Sequence, residues 1–334
     1  MTQQAAGPRP AVLVARRIFA ETVERLRAHF DVETNDADEE WSQEELIRRL
    51  QGKDGALLTG TQRVDAALLE ACPRLRIVAN MTVGYNNFDV AALDAAGVVG
   101  TNAPDVLTET TADFGFALLL AAARRLTESE RFLRAGQWRR WSVDLFAGAE
   151  VHGTTLGILG MGRIGQAIAR RGAHGFGMRV LYHNRRRLDA ATEAACRATW
   201  VDKDTLLRES DHLVLVLPYT PENHHIIGAA ELARMKPTAV LVNLARGGIV
   251  DDAALAEALR QRRIAAAGLD VFEGEPRVHP GLLEVPNVVL TPHIASATVP
   301  TRRAMADLAA DNLIAFLTQG RALTPVNQPP RLRA

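Results

Sequence analysis

Residues 155–165 read Thr-Leu-Gly-Ile-Leu-Gly160-Met161-Gly162-Arg163-Ile164-Gly165, an apolar run that passes directly into glycines spaced G-x-G-x-x-G. The run 155–159 has the character of a buried strand and residues 166–171 favour a helix, so the glycines sit at a strand-to-helix turn. In that setting Gly160 permits the tight turn, Gly162 lets the backbone approach a pyrophosphate, and Gly165 lets the helix close on the strand. The helix N-terminus then faces the phosphates with N–H groups that have no partner inside the helix. Met161, Arg163 and Ile164 complete this expected cofactor-binding turn.

Outward from the turn, short apolar runs alternate with amphipathic segments, the order expected of parallel sheets. Residues 12–15, 56–59, 77–81 and 98–100 read as buried strands, with helical stretches such as 21–29 and 43–50 between them. A second series begins at 155–159 and continues through 179–182, 213–217, 239–243, 265–269 and 288–290. In a chain of 334 residues these predict an α/β protein of two Rossmann-like parallel-sheet domains, one flavodoxin-like and one dinucleotide-binding, with the active site in an interdomain cleft. Between the series, residues 108–126 leave almost no polar face and predict a helix buried on all sides, against a domain or a partner subunit. Residues 301–317 carry Met305, Leu308, Ala309, Asn312, Leu313 and Phe316 at helical spacing.

Composition bounds the class. Apolar residues make up 47% and charged residues 23%, as in soluble globular proteins. Lys plus Arg equals Asp plus Glu at 39 each, so no global field attracts nucleic acid or an anionic membrane. Cys72 and Cys196 form neither a C-x-x-C pair nor a disulfide framework, which fits a reducing compartment. The opening ten residues lack a cationic start and apolar core and read as a loose tail. The longest greasy stretch, 114–123, falls short of the roughly 20 residues a membrane span needs. A cytoplasmic protein is expected.

Nineteen residues beyond Gly165, where an NAD enzyme usually places an acid for the ribose hydroxyls, the chain has Asn184 followed by Arg185, Arg186 and Arg187. Losing the carboxylate removes a repulsion toward a 2′-phosphate of about 4 kcal/mol, taking roughly 4 Å and an effective dielectric near 20. The guanidinium groups can grip that phosphate, so NADPH is expected over NADH. A solvated arginine run is the alternative.

Three polar residues stand beyond the C-terminal ends of apolar runs, where ligands bind in open α/β sheets. Arg246 follows 240–245, Glu275 follows 268–274, and His293 follows 288–292. An arginine can hold a substrate carboxylate and polarise the adjacent carbonyl, a histidine can donate the proton a new alkoxide needs, and a glutamate can orient the ring and favour its cation. From spacing alone the three could equally be surface groups.

Taken together, residues 80–89 (Asn-Met-Thr-Val-Gly-Tyr-Asn-Asn-Phe-Asp), 104–110, 156–165, 243–248, 268–276 and 292–297 resemble the D-isomer-specific 2-hydroxyacid dehydrogenase family, most closely its glyoxylate/hydroxypyruvate reductase and 2-ketogluconate reductase branch. The likeness covers nearly the whole chain. It implies that Arg246, Glu275 and His293 are the catalytic residues, and that the backbone N–H groups of Val83 and Gly84 bind the substrate carboxylate together with Arg246 and His293. It further implies that Asp270 contacts the nicotinamide carboxamide and that Pro218 and Thr220 lie near the adenosine end of the cofactor, an ordinary loop turn being their alternative. Residues 1–103 with 295–334 would then form the substrate-binding domain and residues 104–294 the NAD(P)-binding domain, which would pair two copies as a homodimer. Trp141 would reach toward the partner's substrate site, with ordinary packing as the alternative. The product would be the D enantiomer, and Leu57, Leu58 and Trp141 would choose the substrate tail.

NAD-dependent lactate, phosphoglycerate or formate dehydrogenases share this pattern but are disfavoured by residues 184–187. A dinucleotide-sensing corepressor is disfavoured by the lack of a long disordered tail and a basic stripe. Histidines 152, 174, 183, 212, 224, 225 and 279 show no metal-site spacing, so no metal is expected.

Overall fold

The computed structural model describes residues 9–333; Ala334 and most of the segment read as a loose tail, Met1–Pro8, lie outside the described residues. The chain divides into two compact units: the described residues up to Leu107 with those from Thr298 onward, and Thr108–Ala297.

The first unit holds five parallel strands: β1 (Ala11–Val14), β2 (Asp31–Thr34), β3 (Gly55–Leu58), β4 (Ile77–Asn80) and β5 (Val99–Thr101), in the order β2-β1-β3-β4-β5. On one face, Leu13, Ala56, Leu58 and Val78 pack with Leu46, Leu50, Leu68, Leu69 and Leu93 from three helices. The helix Val299–Gln319 lies against β3 and β4 and against the helix Ala20–His29. Because both faces are covered, the inner strands read as continuous apolar runs. Helix starts are set locally: Ser42, Asp65, Asp89 and Thr298 each accept a hydrogen bond from the backbone N–H three residues on.

The second unit holds β6 (Thr155–Leu159), β7 (Arg179–His183), β8 (Ala198–Trp200), β9 (His212–Leu215), β10 (Val240–Asn243), β11 (Ala266–Leu269) and β12 (Val288–Leu290), all parallel, in the order β12-β11-β10-β9-β6-β7-β8. Alternate residues of one strand feed two cores: Val214, Val240 and Val242 join one, and Leu213, Leu215 and Leu241 the other. Two parallel sheets flanked by helices are thus the observed architecture. The sequence reading missed β2 and β8, both edge strands whose residues are largely half-buried or exposed and so lack the apolar signal.

The helix expected over 108–126 ends at Ala123. Arg125 turns the chain with φ 53°, and a separate helix runs Leu126–Arg134. Within this single chain the first helix leaves one stripe, including Asp113 and Ala117, exposed. Among the described residues no helix is long and apolar enough to cross a membrane.

Asn312, one of the positions at apolar spacing in the last helix, is fully buried, and its amide earns that place. Its Oδ1 accepts from the N–H groups of Leu323 and Thr324, and its Nδ2 donates to Leu308 O and Thr324 Oγ1. Asn312→Leu leaves two N–H groups unpaired, each costing about 1–3 kcal/mol. Urea denaturation should show a lower midpoint with an unchanged slope.

Candidate active site

The turn after β6 has the steric features a pyrophosphate requires. Gly160 adopts φ +101°, and a Cβ there would lie 2.7 Å from Leu217 N. A Cβ at Gly165 would stand 2.5 Å from the Gly160 carbonyl oxygen, whereas one at Gly162 would meet nothing within 4 Å. The open cradle at Gly162 caps the helix Arg163–Arg170 without any side chain to take up its first N–H groups. These residues fit a dinucleotide. Beside them, Asn223 Nδ2 donates to Pro218 O at 3.0 Å, and Thr220 precedes the short 3-10 helix Pro221–Asn223.

At the end of β7, Asn184 Oδ1 accepts from the Met161 N–H at 2.6 Å, so the side chain where an acid was missing braces the glycine turn. The three arginines do not act as one group. Arg187 grips Glu193 with Nε at 2.8 Å and a terminal nitrogen at 2.7 Å, and the Tyr182 hydroxyl donates to the same carboxylate at 2.7 Å. Burial and that bond push the Tyr182 phenol up to about 12. All three arginines are exposed; Arg187 pairs with Glu193 on the following helix, and Arg185 and Arg186 take no part in that clamp.

Arg246, Glu275 and His293 follow β10, β11 and β12, which are neighbours in the sheet, so three separate loops emerge side by side. His293 Nδ1 donates to Glu275 Oε2 at 2.8 Å, and the Phe272 N–H donates to Oε1 at 2.9 Å. Burial pushes the Glu275 carboxyl up, but the hydrogen bonds from His293 and Phe272 and the charge of Arg246 outweigh it and hold the group below its ordinary value. Burial also lowers Arg246, against the opposing pull of Glu275. Arg246 is followed by Gly247, where a Cβ would lie 1.8 Å from Phe272 O, so only glycine fits.

His293 has φ 53°, a conformation that costs a side-chain-bearing residue about 1–2 kcal/mol. The turn is held by Asp270, whose Oδ1 accepts from Thr291 Oγ1 (2.7 Å) and Ile294 N (2.8 Å) and whose Oδ2 accepts from Ala295 N (2.8 Å). The His293 N–H donates to the Asp270 carbonyl at 2.9 Å. Burial raises the Asp270 carboxyl, against the pull of those three donors.

In the first unit, Gly84 O accepts from Asn80 Nδ2 (3.0 Å) and Thr82 Oγ1 (2.7 Å), and Val83 O accepts from Asn102 Nδ2 (2.8 Å). A trans peptide sets the Gly84 N–H opposite the pinned Val83 carbonyl, which aims that donor. Asn80, Asn102 and Asn243 were not singled out from sequence. Each stands at or just past the end of a strand, and Asn243 Oδ1 accepts from the Ala245 N–H at 3.0 Å beside Arg246. An asparagine closing an apolar run was the available signal. Leu57 and Leu58, expected to choose the substrate tail, are fully buried in the sheet and unavailable for it. Trp141 is 75% exposed, so it is not packed within its own chain.

Residues 116–295 match the family described as D-isomer specific 2-hydroxyacid dehydrogenase, NAD binding domain. A glyoxylate reductase from Thermococcus onnurineus is 49% identical over 312 residues, covering 92% of this chain and 93% of its own. One from Aeropyrum pernix is 48% identical over 330 residues, covering 97% and 96%. Among solved structures, an NADPH-dependent glyoxylate/hydroxypyruvate reductase from Sinorhizobium meliloti, in complex with NADP and malonate, superposes with a TM-score of 0.85 at 39% identity, covering 98% of this chain and 99% of that one. The glycine turn, the three residues at adjacent strand ends and this likeness along almost the full length agree: the chain belongs to the D-isomer specific 2-hydroxyacid dehydrogenase family.

Proposed function

We propose that the chain reduces small 2-oxo acids, with glyoxylate, hydroxypyruvate and 2-ketogluconate as candidates, to D-2-hydroxy acids, using NADPH in preference to NADH. The observation that carries this reading is the Glu275–His293 hydrogen bond, formed beside Arg246 at adjacent strand ends. Arg246 holds the substrate carboxylate and polarises its carbonyl, and the Val83 and Gly84 N–H groups bind the carboxylate. His293 gives a proton from Nε2 to the forming alkoxide, with Glu275 on Nδ1 fixing the ring. When bound, the nicotinamide supplies the hydride. The unit bearing Val83 and Gly84 is assigned to the substrate and the unit bearing the glycine turn to the cofactor, where Asp270 contacts the nicotinamide end and Pro218 and Thr220 the adenosine end.

Absorbance at 340 nm, followed with each 2-oxo acid and each cofactor, tests the reading. Turnover should favour NADPH clearly, and Arg246→Ala should lower kcat/KM by about 100- to 1,000-fold while NADPH binding persists. Undiminished turnover in that variant removes Arg246 from its role.

The NADPH preference rests on Asn184 in place of an acid and on the exposed Arg185 and Arg186. Replacing both arginines by alanine should raise the KM for NADPH by about tenfold or more, the worth of a charge-assisted hydrogen bond, and leave that for NADH unchanged. Equal effects on both cofactors would count against a 2′-phosphate contact.

We propose a homodimer formed through the cofactor unit. Its support is the large apolar surface there, with Trp138 at 54%, Trp141 at 75% and Val143 at 85% exposure. Nearby, a groove of about 630 Å³ is lined in part by Ala121, Ala123, Gly148, Val288 and Val289. Sedimentation should give a dimer that Trp141→Ser with Val143→Asp shifts toward monomer; a wild-type monomer at all concentrations rejects it.

A further inference from the structure

We propose that His224, His225 and Glu273, none of them part of the Arg246, Glu275 and His293 set, form a binding site for a divalent transition-metal ion of the zinc class. The ligand atoms of the three side chains lie within 4.8 Å of one another. Both imidazoles turn Nε2 toward one carboxylate: His225 Nε2 stands 2.8 Å from Glu273 Oε2, and His224 Nε2 stands 4.0 Å from Oε1. Each also turns Nδ1 toward a second partner. His224 Nδ1 is 3.3 Å from the Tyr219 hydroxyl, and His225 Nδ1 is 3.9 Å from Asp251 Oδ2. A histidine that ligates a metal through one nitrogen characteristically hydrogen-bonds through the other, as His224 does with Tyr219; the His225–Asp251 distance is too long for such a bond.

The dimensions suit the ion. With metal–ligand bonds of about 2.0–2.1 Å, ligand atoms in a tetrahedral site stand roughly 3.3–3.4 Å apart, between the two separations to Glu273. The imidazole rings stack with centroids 3.8 Å apart at 23°, which presents their Nε2 atoms together. The side chains are partly exposed and can make the small rotations needed, while their main chains are fixed. The His225 N–H donates to Gly248 O at 2.7 Å, and the Glu273 N–H donates to Asp252 Oδ2 at 3.1 Å.

A simple His225–Glu273 ion pair accounts for one histidine but leaves His224, oriented by Tyr219, facing the same carboxylate without a purpose. Two imidazole nitrogens and one carboxylate oxygen select zinc, cobalt, nickel or copper over magnesium and calcium. Solvent or a small anion would complete the fourth position. Sequence spacing hid the site because Glu273 lies 48 residues from His225.

The test uses full-length protein without a polyhistidine tag, stripped with EDTA and titrated with Co²⁺, then with Zn²⁺ to displace it. One Co²⁺ per chain is expected, with visible absorption of a four-coordinate ion. His224→Ala and Glu273→Gln should weaken Co²⁺ and Zn²⁺ binding by at least about tenfold, and Tyr219→Phe by about tenfold through the lost partner of Nδ1. His29→Ala, at an exposed histidine of the first unit, should change nothing. Thermal melting of each apo variant separates loss of ligands from loss of fold. Binding that survives His224→Ala, equal binding of Mg²⁺, or no saturable binding up to millimolar Co²⁺ overturns the proposal.

Discussion

All seven strands of the second unit run the same way, so every loop that follows a strand emerges at one edge of the sheet. That constraint gathers the glycine turn after β6, Asn184 after β7, Arg246 after β10, Asp270 and Glu275 after β11 and His293 after β12 along a single rim. The helices on both faces hold the strands in register by burying alternate residues in two separate cores. Function then depends on what each loop does in its first few residues. Short loops pinned by their own hydrogen bonds lose little further entropy when a ligand arrives.

Buried polar groups do most of that pinning. Asp270 is almost wholly buried, a placement that disfavours its charge, yet three donors converge on its carboxylate and shape the turn that carries His293. Asn243 does the same beside Arg246, and Asn80 and Asn102 do it for the Val83–Gly84 turn of the first unit. For Asp270 and Asn243 desolvation is offset by hydrogen bonds whose loss would leave a main-chain N–H unpaired, so each loop is held to one conformation.

The central strands were legible because burial on both faces leaves uninterrupted apolar runs; β6 and β12 have the bounds read from sequence. The edge strands β2 and β8 were not, since half their surface faces solvent and polar residues serve there. The break at Arg125 gave no sign, because neither glycine nor proline marks it. At the rim, positions after apolar runs located Arg246, Glu275 and His293 as strand-end residues. What sequence could not supply was pairing: that Arg187 pairs with Glu193, or that His224 and His225 face Glu273, depends on which loops touch. Leu57 and Leu58 illustrate the reverse error, in which residues near a strand end were given a surface they lack.

The close approach at Gly247 sets a distance that no side chain controls. With a hypothetical Cβ only 1.8 Å from Phe272 O, the main chains of the Arg246 loop and the Glu275 loop are effectively in contact. The separation of the two main chains is therefore gauged by backbone against backbone, like two rulers laid edge to edge. Neighbouring side chains are left free to change, while any residue larger than glycine at 247 would push the two loops apart and move the roots from which Arg246 and Glu275 extend.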